Sequence, residues 1–236
     1  MRLLLLLLAL WEVAGRVWPP GPLVPLPSAI VLDAASLLAS GELFVHVLRS
    51  AVRVALGGGV GAGVGVLVGV ALAAGGPGRL FDVPVALARP IPSLAWIPLT
   101  LLWFGVGEGQ QIAILALATF GVVVAGTRDA IGAVPTAWLQ AAENLGASRG
   151  ARLGVRAQAA LPGVLASVAE GFAAAWFVLV AAEFVSATEG LGVLVLAGRD
   201  LILPARTFVG AAGLAASAGL TAWALRALRG RLTRWA

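Results

Sequence analysis

The sequence PTAWLQAAENLGASRGAR at residues 135–152 is a polar interruption in a chain that otherwise consists largely of apolar runs. It predicts two short helices: Gly146 can take the left-handed conformation that ends the first, and Ser148 can cap the second, just before Arg149. This helix–glycine–helix elbow spans residues 135–156 and lies between two apolar runs. It therefore predicts a docking surface on the aqueous side of a membrane.

The composition identifies an integral membrane protein. Hydrophobic residues make up 60% of the 236 residues, and the mean hydropathy of +1.00 is far too high for a soluble domain. The net charge of +5 does not indicate a nucleic-acid partner, because the arginines are scattered at the ends of apolar runs. The chain has no cysteine, which excludes disulfides and thiolate metal sites.

Apolar runs long enough to cross about 30 Å of hydrocarbon predict about six transmembrane helices in an all-α fold with one transmembrane domain. The first run carries Glu12 and also fits a cleaved signal peptide, so both interpretations stay open. The predicted spans are residues 3–17, 54–74, 83–106, 112–127, 157–185 and 207–225, so that the core spans cover residues 54–225.

An outer-face segment at residues 19–48 separates the first two spans. Its prolines between residues 19 and 27 predict an extended strap, and a single helix is expected from Ser28 to Leu48. Arg49 and Arg53 follow at the outer end of the second span, where their long side chains are expected to reach lipid headgroups.

The distribution of arginines predicts the orientation, because cytoplasmic loops are enriched in basic residues. Arginines near span ends favour one side, which holds the elbow and both chain termini and is therefore predicted to be cytoplasmic. That side holds Arg2, Arg79, Arg128, Arg149, Arg152, Arg156, Arg226, Arg229, Arg231 and Arg234, against Arg16, Arg49, Arg53, Arg199 and Arg206 on the other.

Glycines recur every fourth residue in the second predicted span. This spacing places Gly57, Gly61, Gly65 and Gly69 in one stripe, where another helix can approach closely. The alternative is that they only reflect a composition rich in glycine and alanine. Either reading concerns helix packing and not chemistry.

The sequence does not predict an enzyme. His46 is the lone histidine and falls in the outer-face segment, away from any serine in a Gly-x-Ser-x-Gly motif. No Gly-Lys-Ser/Thr motif follows the glycine runs, so ATP must be bound by another chain. Glu170 and Glu183 are too far apart along one helix, at about 20 Å, to act as a catalytic pair.

Four residues are candidates for a translocation pathway. Ionisable groups at membrane depth are functional candidates by default, and these are Arg89, Glu170 and Glu183. Arg89 begins a segment in which Pro90, Pro92 and Pro98 are expected to interrupt the third span. Trp96 lies in the same segment. The alternatives are that Arg89 reaches headgroups or pairs with an acid, that the glutamates serve helix packing, and that Trp96 is an interface or core aromatic.

The elbow resembles the cytoplasmic loop of bacterial ABC importer permeases, whose pattern is Glu-Ala-Ala, three residues, Gly, and a downstream Leu-Pro. Gln140-Ala141-Ala142, Gly146 and Leu161-Pro162 match this pattern in order, with Gln140 replacing the glutamate. Further motifs resemble the nitrate/sulfonate/taurine branch of that family. They are Leu26-Pro27-Ser28, Ser40-Gly41-Glu42-Leu43, Arg89-Pro90-Ile91-Pro92, Ala95-Trp96-Ile97-Pro98-Leu99, residues 102–108 (LWFGVGE) and Val180-Ala181-Ala182-Glu183.

The resemblance implies a type I importer fold in the bacterial inner membrane. Two permeases, either two copies of this chain or one copy with a related permease, would form a path for a small solute, expected to be an anion such as a sulfonate or nitrate-like compound. An extracytoplasmic binding protein would deliver the solute, and a cytoplasmic ATPase dimer would bind the ATP and Mg²⁺ that this chain lacks. The ATPase-coupling residues expected from the elbow are Gln140, Ala141, Ala142, Glu143, Gly146, Ala147, Ser148 and Arg149.

The main alternative function is a self-sufficient secondary transporter or channel. Such a protein is expected to carry ion-coupling residues at mid-membrane and inverted repeats with broken helices. The sequence shows no convincing inverted repeat and only sparse acids within its spans. A membrane scaffold without a transported solute would leave the interrupted third span unexplained.

Overall fold

The protein is built from helices throughout the part of the chain that the structure describes, with no strand among these residues. In a computed structural model the described residues are 2–18, 21, 23–74 and 92–235. A short 3₁₀ helix at Ser93–Trp96 precedes α4. The α-helices are α1 (Arg2–Val17), α2 (Pro27–Ala39), α3 (Glu42–Ala74), α4 (Ile97–Phe104), α5 (Glu108–Gly132), α6 (Thr136–Asn144), α7 (Arg149–Ser186), α8 (Leu191–Asp200) and α9 (Pro204–Leu232).

Among the described residues, four helices are long and apolar enough to cross a membrane: α3, α5, α7 and α9. A span needs about 20 apolar residues, and these helices have 33, 25, 38 and 29 residues. They contain the predicted spans at 54–74, 112–127, 157–185 and 207–225. Because a helix satisfies its own backbone hydrogen bonds, it can cross hydrocarbon without exposing unpaired polar groups.

The other two predicted spans have different outcomes. The first forms α1, which has 16 residues. The third falls partly outside the described residues, and its described part is a 3₁₀ helix followed by the eight residues of α4. Pro92 precedes the 3₁₀ helix and Pro98 lies in the first turn of α4, so these two prolines begin helices and do not interrupt one.

The single helix predicted from Ser28 to Leu48 is wrong, because the chain breaks between α2 and α3. Gly41 has φ +78°, a left-handed conformation that ends α2 and that glycine adopts at little cost. The Ser40 side chain then accepts a hydrogen bond of 3.4 Å from the backbone N–H of Glu42, the first residue of α3. From there α3 continues without interruption through the second predicted span.

The chain divides into two compact units. The first unit comprises residues 1–52 and 179–217, and the second comprises residues 53–178 and 218–236. In the first unit, Leu37 of α2 packs with Leu194 of α8 and Val209 of α9 in a buried apolar cluster. The second unit contains most of α3, all of α5 and the greater part of α7.

In the second unit, α3 packs on α5 through the glycine stripe, the set Gly57, Gly61, Gly65 and Gly69. A Cβ atom added at Gly65 would lie 2.9 Å from Cβ of Val123, and one at Gly69 would lie 2.7 Å from Cβ of Thr127. Gly57 and Gly61 face Leu115 and Thr119 in the same register. Residue numbers rise in steps of four on both helices, from Gly57 to Gly69 on α3 and from Leu115 to Thr127 on α5, so the two helices run parallel. Their backbones are so close that no side chain fits between them at the glycines.

Helix α7 also packs on α5, but it runs in the opposite direction. Gly163 faces Ala130, Ser167 faces Gly126, and Gly171 faces Val123 and Thr119, so residue numbers rise on one helix as they fall on the other. The Thr119 hydroxyl donates a 3.2 Å hydrogen bond to the carbonyl oxygen of Gly171. The two helices are therefore antiparallel and are again in contact through small residues.

Arg53 does not reach the headgroups, contrary to expectation. Its side chain is only 2% exposed, and it binds Glu108 at the start of α5 through Nε–Oε2 and Nη2–Oε1 contacts of 2.9 and 2.6 Å. A two-point contact of this kind matches the planar guanidinium to the carboxylate. Arg53 therefore joins α3 to the first turn of α5.

Gly65→Ala is expected to destabilise the protein relative to Gly63→Ala. Both substitutions bring the same gain in helix propensity, but a Cβ at Gly63 has nothing within 4 Å, whereas one at Gly65 meets Val123. The difference in unfolding free energy should be about 1–3 kcal/mol, measurable by thermal unfolding of the purified proteins in one detergent. Equal stability of the two variants would contradict close packing of α3 on α5.

Candidate functional site

The elbow is a helix–turn–helix whose turn is fixed by backbone hydrogen bonds. Gly146 has φ +78°, as predicted. The N–H of Gly146 donates to the carbonyl of Glu143 at 2.9 Å, and the N–H of Ala147 donates to the carbonyl of Ala142 at 3.0 Å. This pair of bonds is the Schellman arrangement, which satisfies carbonyls that the end of α6 would otherwise leave unpaired.

Ser148 caps the helix that follows the turn. Its hydroxyl oxygen accepts a 3.3 Å hydrogen bond from the N–H of Ala151, the third residue of α7. An ion pair also crosses the turn, because Glu143 of α6 binds Arg152 of α7 at 2.6 Å. Both groups are partly exposed, so the pair contributes little to stability, but it is a direct side-chain contact between the two helices.

The elbow presents apolar side chains to its surroundings. Trp138 is 55% exposed and Leu145 is 88% exposed, and their spacing of seven residues places them on the same side of α6. Ala141 is exposed between them, whereas Ala142 and Ala147 are half-buried. The remaining predicted coupling residues, Gln140, Glu143, Gly146, Ser148 and Arg149, are also exposed.

Sequence reasoning passed over Trp138 and Leu145. The sequence feature that could have drawn attention to them is their spacing of seven residues in a short polar segment. In a soluble protein, apolar residues at this spacing normally face the protein's own core. Here both side chains are exposed. The elbow thus combines a fixed backbone with two exposed apolar side chains.

The four predicted pathway residues lie in different parts of the chain. Arg89 lies outside the described residues. Trp96 ends the 3₁₀ helix before α4 and is half-buried. Glu170 lies near the middle of α7 and is exposed, whereas Glu183 lies near the end of the same helix and is 1% exposed.

Glu183 is the centre of a buried hydrogen-bond network in the first unit. Its Oε1 accepts a 2.7 Å hydrogen bond from the Ser50 hydroxyl, and its Oε2 accepts a 2.6 Å bond from the N–H of Gly192. The Ser50 oxygen accepts a 2.8 Å bond from the N–H of Leu191. The carboxylate and hydroxyl together satisfy two backbone donors at the start of α8, where negative charge is also favoured by the helix dipole.

The loop before α8 is held by His46. The N–H of Gly190 donates a 2.9 Å bond to Nδ1 of His46, which therefore carries its ring proton on Nε2, 3.7 Å from Oε1 of Glu42. Gly190 has φ +141°, and an added Cβ there would collide with the Glu183 carboxylate. Only glycine fits at this position.

Sequence reasoning did not identify Ser50 as a partner of Glu183. The sequence feature that could have indicated it is the spacing of His46, Arg49 and Ser50, which lie three and four residues apart and therefore share one side of α3. Arg49 also contacts the loop, through a 2.9 Å ion pair with Glu189. Of the two roles considered for Glu183, these contacts support hydrogen bonding between helices.

The elbow turn and the Glu183 network are both held by hydrogen bonds. Among the described residues, no group of three or more His, Cys, Asp or Glu side chains is arranged to hold a metal ion. Within the same residues, the elbow offers fixed geometry and exposed apolar contacts, and the Glu183 network fastens one helix end to another.

Comparison with known proteins identifies the class. A family model described as a binding-protein-dependent transport system inner membrane component matches residues 61–235. The helices also superimpose on a structure of the inward-facing MetNI methionine ABC transporter, with a TM-score of 0.65 at 20% identity over 83% of this chain and 98% of that one. The fold is therefore that of an ABC importer permease.

Several relatives support the same conclusion. The chain is 38% identical over 157 residues to the taurine transport system permease protein TauC of Escherichia coli, covering 66% of this chain and 57% of that protein. It is 32% identical to SsuC of Bacillus subtilis, named for aliphatic sulfonate transport, over 97% of this chain and 84% of that protein. It is 36% identical to the riboflavin transport system permease protein RibX of Chloroflexus aurantiacus, over 98% of this chain and 88% of that protein.

The chain belongs to the family of binding-protein-dependent transport system inner membrane components. Its members are multi-pass, non-catalytic membrane subunits of ABC importers, and they work in general with an ATPase and a substrate-binding protein.

Glu183→Ala is expected to lower the unfolding free energy by about 2 kcal/mol, because it leaves the Ser50 hydroxyl and the Gly192 N–H without a buried acceptor. Glu189→Gln is the matched control: it removes an exposed carboxylate from the same region and should cost less than about 1 kcal/mol. Thermal unfolding in detergent measures both. Similar losses for the two variants would show that the buried network contributes no more than a surface ion pair.

Proposed function

We propose that this chain is the permease subunit of an ATP-driven importer for a small organic solute of the sulfonate type, and that the elbow is the point at which a cytoplasmic ATPase acts on it. The observation that carries this proposal is the elbow itself: a turn fixed by backbone hydrogen bonds, exposing Trp138 and Leu145. Family membership supports the general partnership, and the taurine and sulfonate relatives support the solute class.

The elbow is suited to transmit motion because it is joined closely to two long helices. Only Ala133, Val134 and Pro135 separate α5 from α6, and α7 begins at Arg149, three residues after Gly146. The Schellman bonds fix the end of α6, the Ser148 cap fixes the start of α7, and the partly exposed Glu143–Arg152 ion pair joins the two helices across the turn. A push on α6 would pass through this short turn to the part of α7 that precedes Pro162.

The proposed ATPase contact combines apolar and polar groups. Trp138, Ala141 and Leu145 form the apolar part, and we propose Gln140, Ala142, Glu143, Gly146, Ala147, Ser148 and Arg149 as the rest of the coupling surface. ATP and Mg²⁺ would be bound by the ATPase and not by this chain. Gln140 offers a neutral amide where the related pattern has a carboxylate, so its contact would be weaker than a charge-assisted hydrogen bond.

The proposed assembly contains two permeases, either two copies of this chain or one with a related chain, together with an ATPase dimer and an extracytoplasmic binding protein. Both termini and the elbow would lie in the cytoplasm, which is supported by the excess of arginine on that side. Arg89, Trp96 and Glu170 remain the proposed pathway residues. Glu183 is better explained as a hydrogen-bonding residue.

Gly146→Val is expected to reduce ATP-driven uptake about ten-fold, because a β-branched side chain strongly disfavours the left-handed conformation that the turn requires. Gly146→Asn is the matched control, since asparagine adopts positive φ more readily and a Cβ at Gly146 has nothing within 4 Å. Solute uptake and permease-stimulated ATP hydrolysis are measured in proteoliposomes containing the permease, the ATPase and the binding protein, at matched membrane abundance.

Two results would contradict the proposal. Uptake by Gly146→Val at the wild-type rate would show that the turn does not couple ATP hydrolysis to transport. Uptake by the permease in vesicles that lack the ATPase would instead indicate a self-sufficient transporter or channel.

A further inference from the structure

The end of α9 carries a cluster of arginines without an acid beside them. Arg226, Arg229 and Arg231 lie in the last two turns of the helix, and Arg234 follows two residues after its end. All four are exposed, and the sequence contains no Asp or Glu after Asp200. Within the described residues, none of the four guanidinium groups takes part in an ion pair or a side-chain hydrogen bond.

Other exposed arginines are neutralised within the chain. Arg16, Arg49 and Arg199 each bind a carboxylate, at 2.6, 2.9 and 2.8 Å. The dipole of α9 also favours positive charge at its last turn, but it supplies only about half of a negative charge. Most of the charge on the four arginines is therefore available to an anion from outside the chain.

The arginines lie on sides of α9 that are not used for its contact with α7. The Thr221 hydroxyl accepts a 3.2 Å hydrogen bond from Nε1 of Trp176 on α7. At about 100° per residue, Arg226 lies roughly 140° around α9 from Thr221, and Arg229 and Arg231 lie roughly 80° to either side of it. The charged surface therefore points away from α7.

The cluster also begins where the apolar span ends. Trp223 is 63% exposed and lies near the end of the apolar stretch 207–225, and tryptophan is typical of the boundary between hydrocarbon and headgroups. From Arg226 to Arg231 the helix then advances by about 8 Å. The headgroup layer on each side of a bilayer has a similar depth, roughly 5–8 Å.

We propose that the end of α9 binds the anionic phosphodiester headgroups of membrane lipids through Arg226, Arg229, Arg231 and Arg234. Basic clusters directly beside a spanning helix attract anionic lipids, and a guanidinium group can form two parallel hydrogen bonds to one phosphate. Interfacial aromatic and basic residues set the depth and tilt of a helix, so the bound lipids would hold the end of α9 in position. This surface uses none of the elbow residues and goes beyond the proposed import function.

The absence of cysteine from the chain allows a local probe. Gly230→Cys places a thiol among the arginines, at an exposed position where an added Cβ has nothing within 4 Å. The purified permease is labelled there with a bimane fluorophore and placed in phosphatidylcholine nanodiscs that contain a small fraction of nitroxide-labelled lipid. The labelled lipid is either phosphatidylglycerol or phosphatidylcholine, and the ratio of quenching by the two measures the local enrichment of anionic lipid.

Labelled phosphatidylglycerol should quench about three-fold more strongly than labelled phosphatidylcholine at low ionic strength. The preference should disappear at about 1 M salt, where the screening length falls to about 3 Å. It should also disappear when glutamine replaces the three helical arginines, Arg226, Arg229 and Arg231. Lysine at the same three positions keeps the charge and should retain most of the preference, which separates loss of charge from loss of fold.

A matched control removes the same amount of charge elsewhere. Arg16→Gln, Arg49→Gln and Arg199→Gln, combined in one variant, replace exposed arginines that are already paired with acids, and this variant should keep the three-fold preference. Because the two leaflets of the nanodisc have the same composition, the result does not depend on the orientation of the chain.

Four results would overturn the proposal. Equal quenching by the two lipids before any arginine is replaced would show no selectivity, and weaker ATPase binding by the glutamine variant in that case would assign the surface to a protein partner. An unchanged preference in the glutamine variant would place the lipid site elsewhere. The same loss in the control variant would indicate an effect of net charge alone. Loss of the preference on adding glycerol phosphate would show a site for soluble phosphate and not for lipid.

Discussion

The close contact between α3 and α5 is the constraint on which the second unit depends. In lipid, the hydrophobic effect does not drive helices together, because hydrocarbon tails are as apolar as leucine, so association relies on close van der Waals packing. The glycine stripe provides that packing by letting the α3 backbone approach Thr119, Val123 and Thr127 of α5. Gly171 of α7 contacts the same Thr119 and Val123, and one helix thus organises two neighbours.

Small residues at these contacts favour rigid-body movement. Closely packed backbones have few alternative arrangements, so displacement of one helix tends to carry its neighbour with it. The elbow joins α6 to α7 through a short turn, in which backbone bonds around Gly146 fix the end of α6 and the cap at Ser148 fixes the start of α7. The family to which the chain belongs consists of non-catalytic membrane subunits that work in general with a separate ATPase.

Features set by local chemistry could be predicted from the sequence. The turn at Gly146 and the cap at Ser148 depend on residues within one short segment, and the four-residue glycine spacing defines a packing surface by itself. Features set by contacts between distant residues could not be predicted from the sequence. The burial of Arg53 depends on Glu108, and the role of Glu183 depends on Ser50 and Gly192. The break at Gly41 was missed because the apolar pattern continues across it, although glycine there signals a possible helix end.

Pro162 lies inside α7, 13 residues after its first residue, Arg149. A proline in a helix interior lacks the N–H that would bind the carbonyl four residues earlier, which makes bending at that point less costly. The segment from Arg149 to Pro162 is roughly 20 Å long. A bend of about ten degrees at Pro162 would therefore displace the elbow by about 3 Å relative to the membrane-spanning part of α7, so a small change of backbone geometry at this one residue is enlarged along the helix.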